Sequence, residues 1–188
     1  MILARTVREA ASKPNVQAFL RVIREGESAQ NDRAWYMVNG QADLADLSAH
    51  PYHGRTTTAV GHSTAAGAFQ FLGTTWAEVA QRYPDDCATF SPQAQVFAAV
   101  VKIADRNALD DVLAGRVEEA IRKCRQEWTS LPGGDENSGR YTLAHALTTY
   151  RQYGGASGSS LPPISPRPFN PEQDAPDFAA APTQPQPA

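Results

Sequence analysis

Residues 91–106, SPQAQVFAAVVKIADR, place the tightest limit on what this chain can become. Ser91 followed by Pro92 is a helix start, a hydroxyl cap with proline in the first turn. Beyond it, Val96, Phe97, Val100, Val101 and Ile103 combine with Ala98, Ala99 and Ala104 to leave hardly any polar face. A helix that is apolar nearly all round must be enclosed by other elements, so this one is expected at the centre of the fold.

The elements around it are also mostly helical. Val16, Phe19, Leu20 and Ile23 repeat at helical spacing in Asn15–Ser28, after Pro14 and before Gly26. Thr75 and Glu78 fit a capping box for a helix ending near Tyr83, stopped by Pro84. Ala108–Ala114 gives a short helix closed by Gly115. Val117, Ala120, Ile121, Cys124 and Trp128 keep helical spacing, with the Cys124 thiol on the packing face and Trp128 in the core. Tyr141–Tyr153 makes a last helix, ending at Gly154-Gly155.

Between the first long helix and residue 63 the pattern changes. Trp35–Val38 before Asn39-Gly40 fits a tight hairpin, followed by poor strand material, and Arg55–Val60 is a second short extended piece. His50-Pro51 reads as a turn. The fold class expected is therefore α+β, mainly helical, with six or seven helices and a small β region after the first long helix. Residues 1–14 form a leader, 15–155 the folded domain, and 156–188, rich in Pro, Ala, Ser and Gln, a disordered tail.

A net charge of −3 over 188 residues excludes a broad basic surface for nucleic acid. No apolar run has the length of a membrane span, and the N-terminus has no apolar stretch of signal-peptide length. Two cysteines, Cys87 and Cys124, are too few for a disulfide scaffold. Four scattered histidines make no metal spacing, so neither metal nor cofactor is expected.

Glu25 closes the expected first helix, where the dipole disfavours a carboxylate and so suits an acid that must keep its proton. It also lies nearly opposite the apolar face, with Arg21 one turn back as a surface partner. The residues alone leave both roles open.

Four pieces in order resemble the phage lambda lysozyme family of endolysins, lytic transglycosylases of peptidoglycan. They are Glu25-Gly26; Ser48-Ala49-His50-Pro51; Ser63–Gln70 (STAAGAFQ); and Phe90-Ser91-Pro92 through Trp128–Gly133 (WTSLPG) to Gly154-Gly155. The resemblance spans about residues 15–155 and implies a two-lobed lysozyme-like domain with a cleft between the lobes. It implies Glu25 as the single catalytic acid, with Asp46, Ser63, Gln70, Phe71 and Tyr150 lining the cleft. A shift of two residues, on the Glu27-Ser28 pair, would make Glu27 the acid; the glycine after Glu25 favours Glu25. Ala49 stands where the family often has an acidic residue. Asp43 has no counterpart there.

The implied reaction cleaves the β-1,4 bond between N-acetylmuramic acid and N-acetylglucosamine, leaving a 1,6-anhydromuramic end. The alternatives are a hydrolytic muramidase using Glu25 with Asp46, and a non-catalytic wall-binding or virion module. The partner expected is the glycan strand, with no nucleic acid and no stable membrane insertion, the protein acting as a monomer. Made in the host cytoplasm, it would reach the wall through holin-type lesions.

Overall fold

The computed structural model describes residues 2–39, 43–58, 63–137 and 139–156. Among them, seven α-helices follow one another: α1 (Ala4–Ala11), α2 (Pro14–Glu27), α3 (Gly73–Arg82), α4 (Pro92–Asp105), α5 (Leu109–Leu113), α6 (Val117–Cys124) and α7 (Leu143–Gln152). A 3-10 turn, Asp32–Tyr36, follows α2.

Helix α4 is the buried centre, as its composition requires. Phe97 through Val101 are all sequestered, and Ser91 Oγ accepts the Ala94 N–H as the cap. Its polar residues are accounted for as well. Lys102 lies 3.5 Å from Glu127, which Arg106 also grips at 2.6 Å. Gln95, fully buried, accepts the Ala68 N–H and donates to the Trp35 and Phe90 carbonyls. One amide side chain thus ties three loop segments to the central helix.

Several boundaries differ from expectation. Residues 4–11 form two full turns, because Val7 and Ala10 find a buried place beside α4. Helix α3 starts at Gly73, with no side-chain cap, so Thr75 and Glu78 form no capping box. Helix α6 stops at Cys124, and Trp128 reaches the core from the following turn. The first half of the expected strand Trp35–Val38 is 3-10 turn, with Ala34 and Trp35 buried, and Val38 makes a single bridge. Among the described residues the β region reduces to two bridges, Val38 with Ala66 and Ala66 with Phe71. Of the expected extended piece, residues 55–58 contain bends and no strand, while residues 59–61, Gly40 of the expected hairpin and residues 157–188 lie outside the described residues.

Helices α2 and α7 pack side by side through much of their length. At the start of α2, Asn15 donates to the Leu113 carbonyl and accepts the Ala156 N–H at 2.8 Å. The chain therefore returns to the first turn of α2 after α7 is complete.

Candidate active site

The last turn of α2 carries two carboxylates, and its neighbours treat them differently. The helix does not stop at Glu25. It runs through Gly26 to Glu27, with the Ser28 N–H still bonded to the Arg24 carbonyl. The expectation of a glycine stop is corrected, and the reason is contact. A Cβ at Gly26 would meet Ser130 Oγ at 2.5 Å and the Tyr141 ring at 3.3 Å. Glycine is there because the 128–133 turn and Tyr141 press against the helix.

Glu27 points to that contact. Ser130 Oγ donates to Glu27 Oε1 at 2.5 Å, and Ser28 Oγ donates to the Ala68 carbonyl at 2.7 Å. Trp128 Nε1 donates to the Phe69 carbonyl at 3.1 Å, so three segments converge on the end of α2. Burial there pushes the Glu27 carboxyl up to about 7, and the charge of Glu136 adds to it. The Ser130 hydrogen bond, which favours the ionised form, offsets part of the rise.

Two residues earlier is about 200° around a helix. Glu25, about a quarter exposed, accepts Gln30 Nε2 at 2.8 Å and lies 3.3 Å from His145 Nε2 on α7. It holds the α2–α7 flank, while Arg21 reaches instead to the Gln30 carbonyl and the Tyr153 ring.

The other expected site residues divide. Gln70 stands on the 66–71 loop, which Ser28, Gln95 and Trp128 all bind. Its φ of +46° is in the left-handed region, and its amide donates to the Gly67 carbonyl at 2.8 Å. A non-glycine residue held there costs on the order of 1 kcal/mol, which the surrounding hydrogen bonds must sustain. Ser63 is exposed and its hydroxyl accepts the Ala65 N–H. Asp46 is exposed too. Both the backbone and hydroxyl of Ser48 donate to its Oδ1, holding the carboxyl below its usual range.

Phe71 and Tyr150 are corrected from cleft lining to core. Phe71 is 3% exposed between Phe69 and Trp76; Tyr150 is fully buried under Gly155. Neither presents a face to a ligand. His50 is a buried turn residue. Its Nδ1 accepts the Tyr52 N–H, its Nε2 meets the Phe71 carbonyl at 2.8 Å, and burial brings it down to about 4. It is a neutral structural imidazole. Asp43 is ion-paired with Arg33 at 2.6 Å. Both cysteines are buried, free thiols pushed up to about 12.

Ser130, Gln95 and Glu136 had no role assigned from the sequence. Gln95 is detectable there as the polar interruption of an otherwise apolar helix. Ser130 is visible only as part of WTSLPG, and Glu136 carries no local signal at all. Among the described residues no group of three His, Cys, Asp or Glu is placed to hold a metal ion.

Comparison with known folds starts with the solved lysozyme from bacteriophage lambda complexed with a chitohexasaccharide. The TM-score is 0.67 at 25% identity, over 77% of this chain and 97% of that one. A second lambda lysozyme structure gives 0.65 at 23% identity with the same coverage. The fold is that of a lysozyme-type, peptidoglycan-degrading glycosidase.

The endolysin of Escherichia phage P2 is 34% identical over 158 residues, 75% of this chain and 93% of its own length. That of Escherichia phage lambda is 28% identical over 145 residues, 74% of this chain and 90% of its own. The Endolysin family model matches residues 17–157. The chain belongs to the endolysin family.

Proposed function

We propose that the chain is a lytic transglycosylase in which Glu27 is the catalytic acid and base. The observation that carries this is the Glu27 carboxyl, raised to about 7 at the meeting point of α2, the 66–71 loop and Ser130. Breaking a β-1,4 glycosidic bond needs a proton delivered to the leaving oxygen as positive charge builds on the sugar ring. A carboxyl still protonated near pH 7 can deliver it.

Once ionised, Glu27 accepts the proton of the muramic acid's own 6-hydroxyl, which closes on the anomeric carbon. One group serves both steps best when its pKa lies near the working pH. The hydroxyl is already held on the same ring, so it outcompetes water. Lambda lysozyme has been solved with a chitohexasaccharide. A glycan of the same β-1,4 chemistry is the ligand assigned here, with Gln70 on its bound loop offering polar contacts to the sugar. Access to the wall follows through holin-type lesions.

The other two aspartates considered are committed elsewhere, Asp43 to Arg33 and Asp46 to Ser48. A hydrolytic reading keeps one specific support, the carboxylate of Glu136 acting on Glu27. Digestion of purified peptidoglycan separates the two. Transglycosylation gives muropeptides one water lighter than hydrolysis products and inert to borohydride. Reducible ends, together with a Glu136→Gln variant as inactive as Glu27→Gln, would establish hydrolysis. No clearing of a peptidoglycan zymogram by the wild type would establish a non-catalytic module.

A further inference from the structure

The turn that supplies Ser130 to Glu27 has a second face. Behind it lies an open groove of about 640 Å³ between α6, the 132–139 turns and the start of α7. That volume is within the range of small-ligand sites. Its floor is built rather than loose. Asn137 both donates to the Tyr141 carbonyl and accepts its N–H, while the Gly134, Glu136 and Asn137 amides close successive turns. Tyr141, which lines the groove, also donates to the Val22 carbonyl of α2 and abuts Gly26. Tyr141 is therefore common to the groove and to the end of α2 that carries Glu27.

The charges in the groove are unspent. Arg122 is taken by Glu119, but the side chains of Arg125 and Glu118 make no hydrogen bond or ion pair among the described residues. Arg125 lies flat against Gly133, where φ is +78° and a Cβ would stand 2.8 Å from its Nη1. Seven residues apart, the Glu118 and Arg125 positions share one helix face at about 10 Å separation. That is the reach of about three residues of extended peptide. Leu143 adds an exposed apolar edge.

We propose that this groove receives the peptide stem carried on the lactyl group of the muramic acid. Arg125 binds a stem carboxylate and Glu118 the free amine of its diamino acid. A guanidinium and a carboxylate at that spacing match a short peptide bearing both charges, and a bare glycan offers neither. This assignment rests on the glycan reading above, and it concerns recognition of the substituent rather than bond cleavage.

The test compares intact peptidoglycan with glycan strands freed of stems by an amidase. Wild type should show kcat/KM roughly tenfold higher on the stem-bearing substrate, the value of about one charge-assisted contact. Arg125→Gln, an exposed change, should remove most of the advantage of stem-bearing strands and leave stem-free cleavage unaltered. Glu118→Gln should reduce the preference for stems with a free amine over stems acetylated at that amine. Equal wild-type activity on both substrates overturns the proposal, and so does an equal loss on both in Arg125→Gln. The products from stem-free strands report separately on the reaction. Reducible ends there would refute transglycosylation and leave the groove assignment standing.

Discussion

Glu25 and Glu27 share a helical turn, a charge and a residue type, yet they occupy different regions of the molecule. The outer flank offers Glu25 water, an amide and an imidazole. The inner end surrounds Glu27 with a packed turn, a single hydroxyl and another carboxylate at a distance. What differs is hydration, and hydration decides whether a carboxylic acid is a surface charge or a proton donor near pH 7. The side chain itself is identical.

The sharpest way to break the comparison is to neutralise each acid in turn. Glu27→Gln should lower wall-lysis turnover by at least about 10²-fold, since acid–base assistance is worth about 10² to 10⁴. Glu25→Gln should retain activity within a few-fold. Turnover assays on purified wall decide, and the opposite ranking would return the acid to Glu25.

Stability gives the next largest contrast. Glu27 has a folded pKa above its unfolded value, so the native state binds the extra proton between about 4.5 and 7. Its contribution is favourable below that window and is lost as pH rises through 7. The full cost is on the order of 3 kcal/mol. Glu27→Gln should therefore melt several degrees higher than wild type at pH 8 and nearly the same at pH 4.5. Equal melting at both pH values would mean that the carboxyl is well hydrated.

Gly26→Ala probes the contact that separates the two environments. The new methyl would displace Ser130, at about 1 to 3 kcal/mol of overpacking. Activity should fall about as far as in Ser130→Ala, which thermal melts and lysis rates can compare. Least affected should be His145→Ala, since an exposed pair is worth about 1 kcal/mol or less. Its melting point should move by no more than a few degrees, with lysis unchanged.

The helical framework was readable because burial leaves periodic marks. The apolar circumference of α4, the Ser91 cap and the stripe of α2 are local patterns, and each appears in the fold as expected. The site was only partly readable. Gly26 looks like a helix stop in one dimension; its use as a contact surface depends on Ser130 and Tyr141, over a hundred residues away. Phe71 and Tyr150 could not be told from cleft aromatics, because packing and sugar stacking select the same side chains. Asp46 carries a related ambiguity. An aspartate two residues before a serine fits a turn as well as a subsite, and its hydrogen bonds to Ser48 favour the turn.

The return of the chain to Asn15 has a practical side. Ala156 is bonded to the first turn of α2, whereas Glu27 ends that helix twelve residues on, about 18 Å away along its axis. Ala156 thus sits at the end of α2 opposite to Glu27. That makes Ala156 a natural coupling point for cargo: a targeting module or an immobilisation tag joined there would sit a full helix length away from the carboxylate proposed as the acid.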